Sequence, residues 1–157
     1  MSMNRATSAA IPRRFRVLAC LLLCAPALTF AEAQLSDAKV EALVEALRMA
    51  APPAAPNSGL YGDWRVKPEN IALWTKRCLN QEIKPEQFAA DQALSRPTLV
   101  CVMGPVLREQ FARNNNNEMV AVQRAAAWWL TGDATQYRTG ATGEYTLRVL
   151  EAYLRFF

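Results

Sequence analysis

Histidine is absent from all 157 residues. That absence removes Ser-His-Asp and Cys-His nucleophilic sites, imidazole general bases and most zinc and haem sites, all of which use the ring nitrogens. Glycine is scarce too, at six residues. Neither the phosphate-loop spacing nor the Gly-x-Gly-x-x-Gly fingerprint occurs, so the backbone lacks the turn that cradles a nucleotide's phosphates. Nowhere does apolar and polar alternation persist as it would in a half-buried strand. Cysteine is limited to four residues, and none is spaced Cys-x-x-Cys as in a redox pair.

Residues 1–33 have the pattern of a secretory signal peptide. Arg5, Arg13, Arg14 and Arg16 form a positive n-region, and Val17 to Phe30 is an apolar run of 14 residues. Ala31-Glu32-Ala33 places small residues at both specificity positions, which predicts cleavage before Gln34. The run falls short of the roughly 20 apolar residues of a transmembrane helix. Lipidation fits poorly: Cys20 follows Arg16 too closely, and Cys24 follows Leu23 rather than a small residue. Retention as an uncleaved anchor is the one route to a membrane.

Removing this segment changes the charge. The full chain has 18 Lys and Arg against 14 Asp and Glu, a net charge of +4, and residues 1–33 hold four of the arginines and one glutamate. The remaining 124 residues thus have 14 basic and 13 acidic side chains, a net charge of +1. The basic character belongs largely to the targeting segment. No dense Lys/Arg patch remains, and nucleic acid is not indicated as a partner.

The mature length suits one domain with a single core. Ser36 can cap a first helix over about 37–49, with Leu35 and Val40 spaced as a hydrophobic staple. Its stripe is Val40, Leu43, Val44 and Leu47. The proline-rich stretch from Ala51 to Gly59 breaks it and reads as an extended linker. Lys67-Pro68-Glu69-Asn70-Ile71 and Lys84-Pro85-Glu86-Gln87-Phe88 open the second helix (about 68–80) and the third (about 85–94). In each, proline fits the first helical position and a glutamate follows at the positive end of the helix dipole. The second places Ile71, Trp74, Cys78 and Leu79 on one side; Phe88 and Leu94 anchor the third. Ser95 is the expected cap of a fourth helix over about 96–113, kinked at Gly104-Pro105.

A fifth helix carries the most distinctive stretch, Ala121 to Asp133. Val122, Ala125, Ala126 and Trp129 share one face. Asn115 and Glu118 have the spacing of a capping box, and Gly132 fits a left-handed C-terminal stop. The triple alanine 125–127 permits close backbone approach. Trp128 points about 100° away from Trp129, so the helix is either buried on two sides or leaves Trp128 partly exposed. Residues 139–143 read as a flexible connector, with Thr142 capping a last helix over about 143–156. Tyr145, Val149, Tyr153 and Phe156 form one stripe of that helix; Leu147, Leu150, Leu154 and Phe157 form a second.

The fold class is all-α: a single small, irregular, orthogonal bundle of five to six helices with one disulfide. The order is signal peptide (1–33), N-terminal helix and Pro-rich linker (34–58) and helical core domain (59–157). Cys78 and Cys101 survive processing, and two cysteines in an exported helical domain are expected to bond. Two thiols without histidine or a nearby carboxylate cluster make a poor metal site. Neither metal nor cofactor is expected.

Carboxylate chemistry remains open in principle, since a glycan hydrolase needs only tuned carboxyl groups beside an aromatic wall. Three places qualify: Asp63 beside Trp64, Asp133 near Trp128 and Trp129, and Glu144 beside Tyr145. Each also has an ordinary explanation as a turn residue, a cap or a dipole partner. Trp128, Trp129, Asp133, Tyr153, Phe156 and Phe157 are the candidate binding surface. The expectation is an exported, non-catalytic helical interaction protein whose partner is another envelope or secreted protein. The alternatives are a carboxylate-dependent enzyme on a cell-wall or polysaccharide substrate and an inhibitor or immunity protein for a secreted toxin.

Export is checked by the intact mass of the protein from its native host. The expected species begins at Gln34 and takes up an alkylating reagent only after reduction. An uncleaved chain with free thiols would overturn both export and the disulfide.

Overall fold

The structure, a computed structural model, describes residues 35–55 and 58–157. The signal-peptide segment, its cleavage position before Gln34, and Pro56-Asn57 of the linker lie outside those residues. Helices α1 (Asp37–Met49), α2 (Pro68–Leu79), α3 (Pro85–Ala90), α4 (Gln92–Arg113), α5 (Glu118–Thr131) and α6 (Gly140–Leu154) follow in order, with one 3₁₀ turn at Ala134–Gln136. Among the described residues there is no strand, only an isolated antiparallel bridge between Tyr61 and Val66. The chain is all-α with six helices among the described residues, and Cys78 and Cys101 are joined. None of these helices is long and apolar enough to cross a membrane.

Helix α5 is the centre. It packs against α4 on one side and α6 on the other, and the 3₁₀ turn folds back onto it. Ala121, Ala125, Ala126 and Ala127 are fully buried at these contacts. Side chains this small let flanking backbones come close without leaving voids, as dense interior packing requires. Helix α1 docks on α4 and α6. Its stripe of Val40, Leu43, Val44 and Leu47 is buried to 1% exposure or less, so the proline linker does not detach it. Leu35 and Val40 are both buried, as a staple requires, although Ser36 caps through backbone conformation with no side-chain hydrogen bond.

Several boundaries differ from the sequence expectation, each for a local reason. The third helix stops at Ala90, because Asp91 is extended and its side chain accepts from the Ala93 N–H to cap α4. Ser95 is therefore a buried residue inside α4, and Leu94 belongs to α4. Helix α4 runs through both Pro97 and Pro105. The carbonyls these prolines deprive of donors, on Ala93 and Cys101, belong to exposed residues, where water can replace the lost partner.

The cap of α5 is Asn117, accepting from the Val120 N–H at 3.1 Å, rather than Asn115. Asn115 and Asn116 take positive φ values of 53° and 59°, a region asparagine tolerates better than most residues. The Asn114 side chain donates back to the Gln110 carbonyl at 2.6 Å. Residues 139–143 are not a connector: α6 begins at Gly140 with Thr139 as its N-cap. Gly143 makes that start possible, since a Cβ there would lie 2.9 Å from the Arg138 backbone. Gly132 ends α5 with φ 80°, its N–H reaching the Trp128 carbonyl at 2.8 Å.

Two crosslinks tie the helices together. The disulfide closes a separation of 23 residues between α2 and α4, which should stabilise by about 3 kcal/mol in the chain-entropy model. On the other side, Glu118 at the start of α5 accepts from Lys39 of α1 and, at 2.7 Å, from the Tyr153 hydroxyl of α6. Lys39 also sits 5.9 Å from the Phe157 ring centre. One carboxylate thereby satisfies a half-buried ammonium and a buried phenol at once.

Replacing Glu118 by alanine strands the Tyr153 hydroxyl and is expected to cost about 2 kcal/mol. Tyr153→Phe is expected to cost about 1 kcal/mol, and the double variant less than the sum. Urea unfolding at unchanged m-value checks both; strict additivity would show that the two groups do not act together.

Candidate functional site: a tryptophan cleft

The segment after the linker folds as a tight turn. Tyr61 and Val66 exchange backbone hydrogen bonds of 2.8 and 2.9 Å, and Arg65 between them holds a left-handed φ of 57°. Trp64 is buried and its Nε1–H donates to the Val44 carbonyl of α1 at 2.7 Å. This turn sets one wall of a cleft of about 450 Å³, within the size range of ligand pockets. Trp74 of α2 forms a second wall and the C-terminal end of α5 a third. Trp128 and Trp129 both line the cleft despite their 100° separation, because it wraps around the last turn of α5 and is also lined by Leu130 and Gly132. The Trp74 and Trp129 rings lie 5.7 Å apart at 36°.

All four tryptophans of the chain therefore line one cleft. Trp128 and Trp129 are each half-buried: α5 is covered on two sides, and Trp128 still keeps an open face. Trp64, Trp74, Arg65 and Lys67 do not stand out in the sequence as a binding group. They are spread through a turn and another helix, and the number of tryptophans in so short a chain is the one feature that points toward their meeting.

The charge of the cleft has one sign. Arg65 and Lys67 line it, and among the described residues no carboxylate does. The Arg65 guanidinium is held by donation to the carbonyls of Pro52 (3.2 Å) and Gly62 (3.0 Å). Among the described residues neither cation forms an ion pair. Tyr145 closes the floor at 4% exposure. No hydrogen bond to a described residue engages its hydroxyl, and no fully buried side-chain oxygen among those residues is left unpaired.

The three carboxylates considered for acid–base chemistry stay apart from this cleft and from one another. Asp63 accepts from Gln92 Nε2 at 2.9 Å. Asp133 caps the 3₁₀ turn, and hydrogen bonds from the Thr135 backbone and hydroxyl hold its carboxyl below the usual range. That is the opposite of what a general acid needs. Glu144 is exposed in the first turn of α6. Tyr153 is buried with its hydroxyl engaged by Glu118, so it is not part of an open surface; Phe156 and Phe157 are exposed at 44% and 67%. No three Cys, Asp or Glu side chains among the described residues gather as metal ligands.

No protein-family model matches the chain, and no curated protein and no solved structure shows detectable similarity to it.

Burial pushes the Tyr145 phenol well above its ordinary pKa, and burial together with the bond to Glu118 does the same for Tyr153. Unfolded tyrosines ionise near pH 10, while the folded pair stay protonated to higher pH. The stability this provides is whole below pH 10 and is lost as pH rises toward the folded values. Each tyrosine contributes a fall of up to about 1.4 kcal/mol per pH unit. Urea unfolding between about pH 9 and about pH 11 should show this decline; a flat profile would mean that both phenols ionise in the folded protein.

Proposed function

We propose that this protein is an exported binding module of the cell envelope, without catalytic machinery of its own, that recognises a segment of another envelope or secreted protein. The observation that carries the reading is the convergence of all four tryptophans on one cleft that no carboxylate among the described residues lines. Large aromatic side chains left half-open to solvent are characteristic of recognition surfaces, where a rigid apolar face gains most on contact. The disulfide fits an oxidising compartment, in keeping with the signal-peptide pattern of residues 1–33.

An enzyme working through paired carboxylates is the weaker reading, because Asp63, Asp133 and Glu144 have separate structural partners or face solvent. Inhibition of a secreted toxin is one form of the same binding role. The exposed Leu154, Phe156 and Phe157 at the end of α6 offer a second apolar contact for the same partner.

A photo-crosslinking residue placed at Leu130, which lines the cleft and is 45% exposed, tests the reading in the native host. The expected result is a discrete adduct with one envelope or secreted protein. It should disappear when Trp128 is also changed to alanine, and it should not form from Leu73, which is exposed outside the cleft. Absence of any adduct from Leu130 would overturn the proposal. Turnover of a cell-wall substrate that is abolished by Asp133→Asn or Glu144→Gln would replace it with the enzyme.

A further inference from the structure

A second cleft of about 450 Å³ adjoins the first, and the two share Ala51 and Pro52 as their common edge. Arg148 and Arg155 of the α6 end line it, with Glu151 as the only carboxylate among the described residues. Neither arginine forms an ion pair among the described residues. Arg148 approaches Tyr145, its guanidinium carbon 5.9 Å from the ring centre, so the phenol that floors the tryptophan cleft lies beside the cations of its neighbour. Across both clefts the described residues place four cations (Arg65, Lys67, Arg148 and Arg155) against one carboxylate. This bias is local, because the mature chain as a whole is nearly neutral.

We infer that the paired clefts bind an acidic peptide segment carrying an aromatic anchor. The anchor packs against the Trp74–Trp129 pair and Trp128 where they line the cleft, and the flanking carboxylates lie against Arg65 and Lys67 on one side and Arg148 and Arg155 on the other. This deepens the binding-module reading and rests on it. Aromatic rings offset or tilted against tryptophan gain contact beyond simple burial, and guanidinium groups suit carboxylates through paired donors. Tyr145, which lines the tryptophan cleft, has no hydrogen-bond partner for its hydroxyl among the described residues.

A saccharide suits the same walls less well. Its several hydroxyls each need partners once desolvated, and among the described residues the tryptophan cleft offers cationic donors but few side-chain acceptors. Asn70 is its only amide among the described residues, and the Thr131 hydroxyl already donates to the Ala127 carbonyl at 2.8 Å.

Tryptophan fluorescence of the whole mature protein, titrated with acetyl-Glu-Asp-Phe-Glu-Asp-amide at low salt, tests the inference. Binding is expected at or below about 1 mM and should weaken on adding salt, as exposed charge pairs do. The Phe→Ala peptide and the Gln/Asn version lacking its carboxylates should each bind roughly 3- to 10-fold more weakly. The exposed pair Arg148→Glu and Arg155→Glu should reverse the preference, favouring a Lys-flanked Phe peptide over the acidic one without lowering the thermal midpoint. Equal binding of acidic, neutral and basic peptides would overturn the inference, as would a response to uronic-acid oligosaccharides with none to the peptides. A Leu130 adduct that forms while no acidic aromatic peptide binds would sink this inference and leave the binding-module reading standing. Loss of both the adduct and peptide binding would remove both.

Discussion

The whole arrangement depends on how closely α4 and α6 can approach α5. A helix flanked closely on both sides favours small side chains, and α5 has alanine at four of its buried positions. The two tryptophans come directly after the alanine run. They are too large for the narrow part of the layer and stand where it opens, at the last turn before Gly132. The close packing at Ala125–Ala127 and the open aromatic cleft at Trp128 and Trp129 are thus adjacent on a single helix.

The remaining parts hold that layer in register. Glu118 joins α1, α5 and α6 at the first turn of α5, at the opposite end from the cleft. The disulfide joins α2 to α4 and so fixes the helix that carries Trp74. Trp64 anchors the turn bearing Arg65 to α1 through its bond to Val44. Each wall of the cleft is therefore set by a contact made elsewhere in the core. This matters for binding, because an aromatic surface held rigid loses little freedom when a partner covers it.

The candidate site is only partly legible along the chain. Trp128 and Trp129 stand out as neighbours in an unusual stretch, and both line the cleft. Phe156 and Phe157 are exposed at the apolar end of α6, but Tyr153 of the same stripe turns inward, because its ring is needed in the core and its hydroxyl finds Glu118. Trp74 reads as a simple core residue of α2. Arg65 and Lys67 carry no signal, since isolated cations in a turn are ordinary. What makes them functional candidates is that no carboxylate among the described residues shares their cleft, a property of space and not of sequence order.

Local chemistry is written in the order of the residues: the helical class in apolar spacing, the starts of α2 and α3 in Lys-Pro-Glu, the stop at Gly132, and the two cysteines available to pair. These depend on residues within a few positions of one another, where backbone sterics and capping act. Asn115, Ser95 and Thr142 have the spacing of caps, yet they lose to neighbours whose side chain or backbone meets a better partner in the folded chain. Which side of each helix meets which other is a matter of tertiary packing. Packing brings tryptophans from three segments to one place, separates the three carboxylates, and gathers cations along a shared edge. Such outcomes arise between distant segments, and their energies depend on shape and burial that no short window of residues contains.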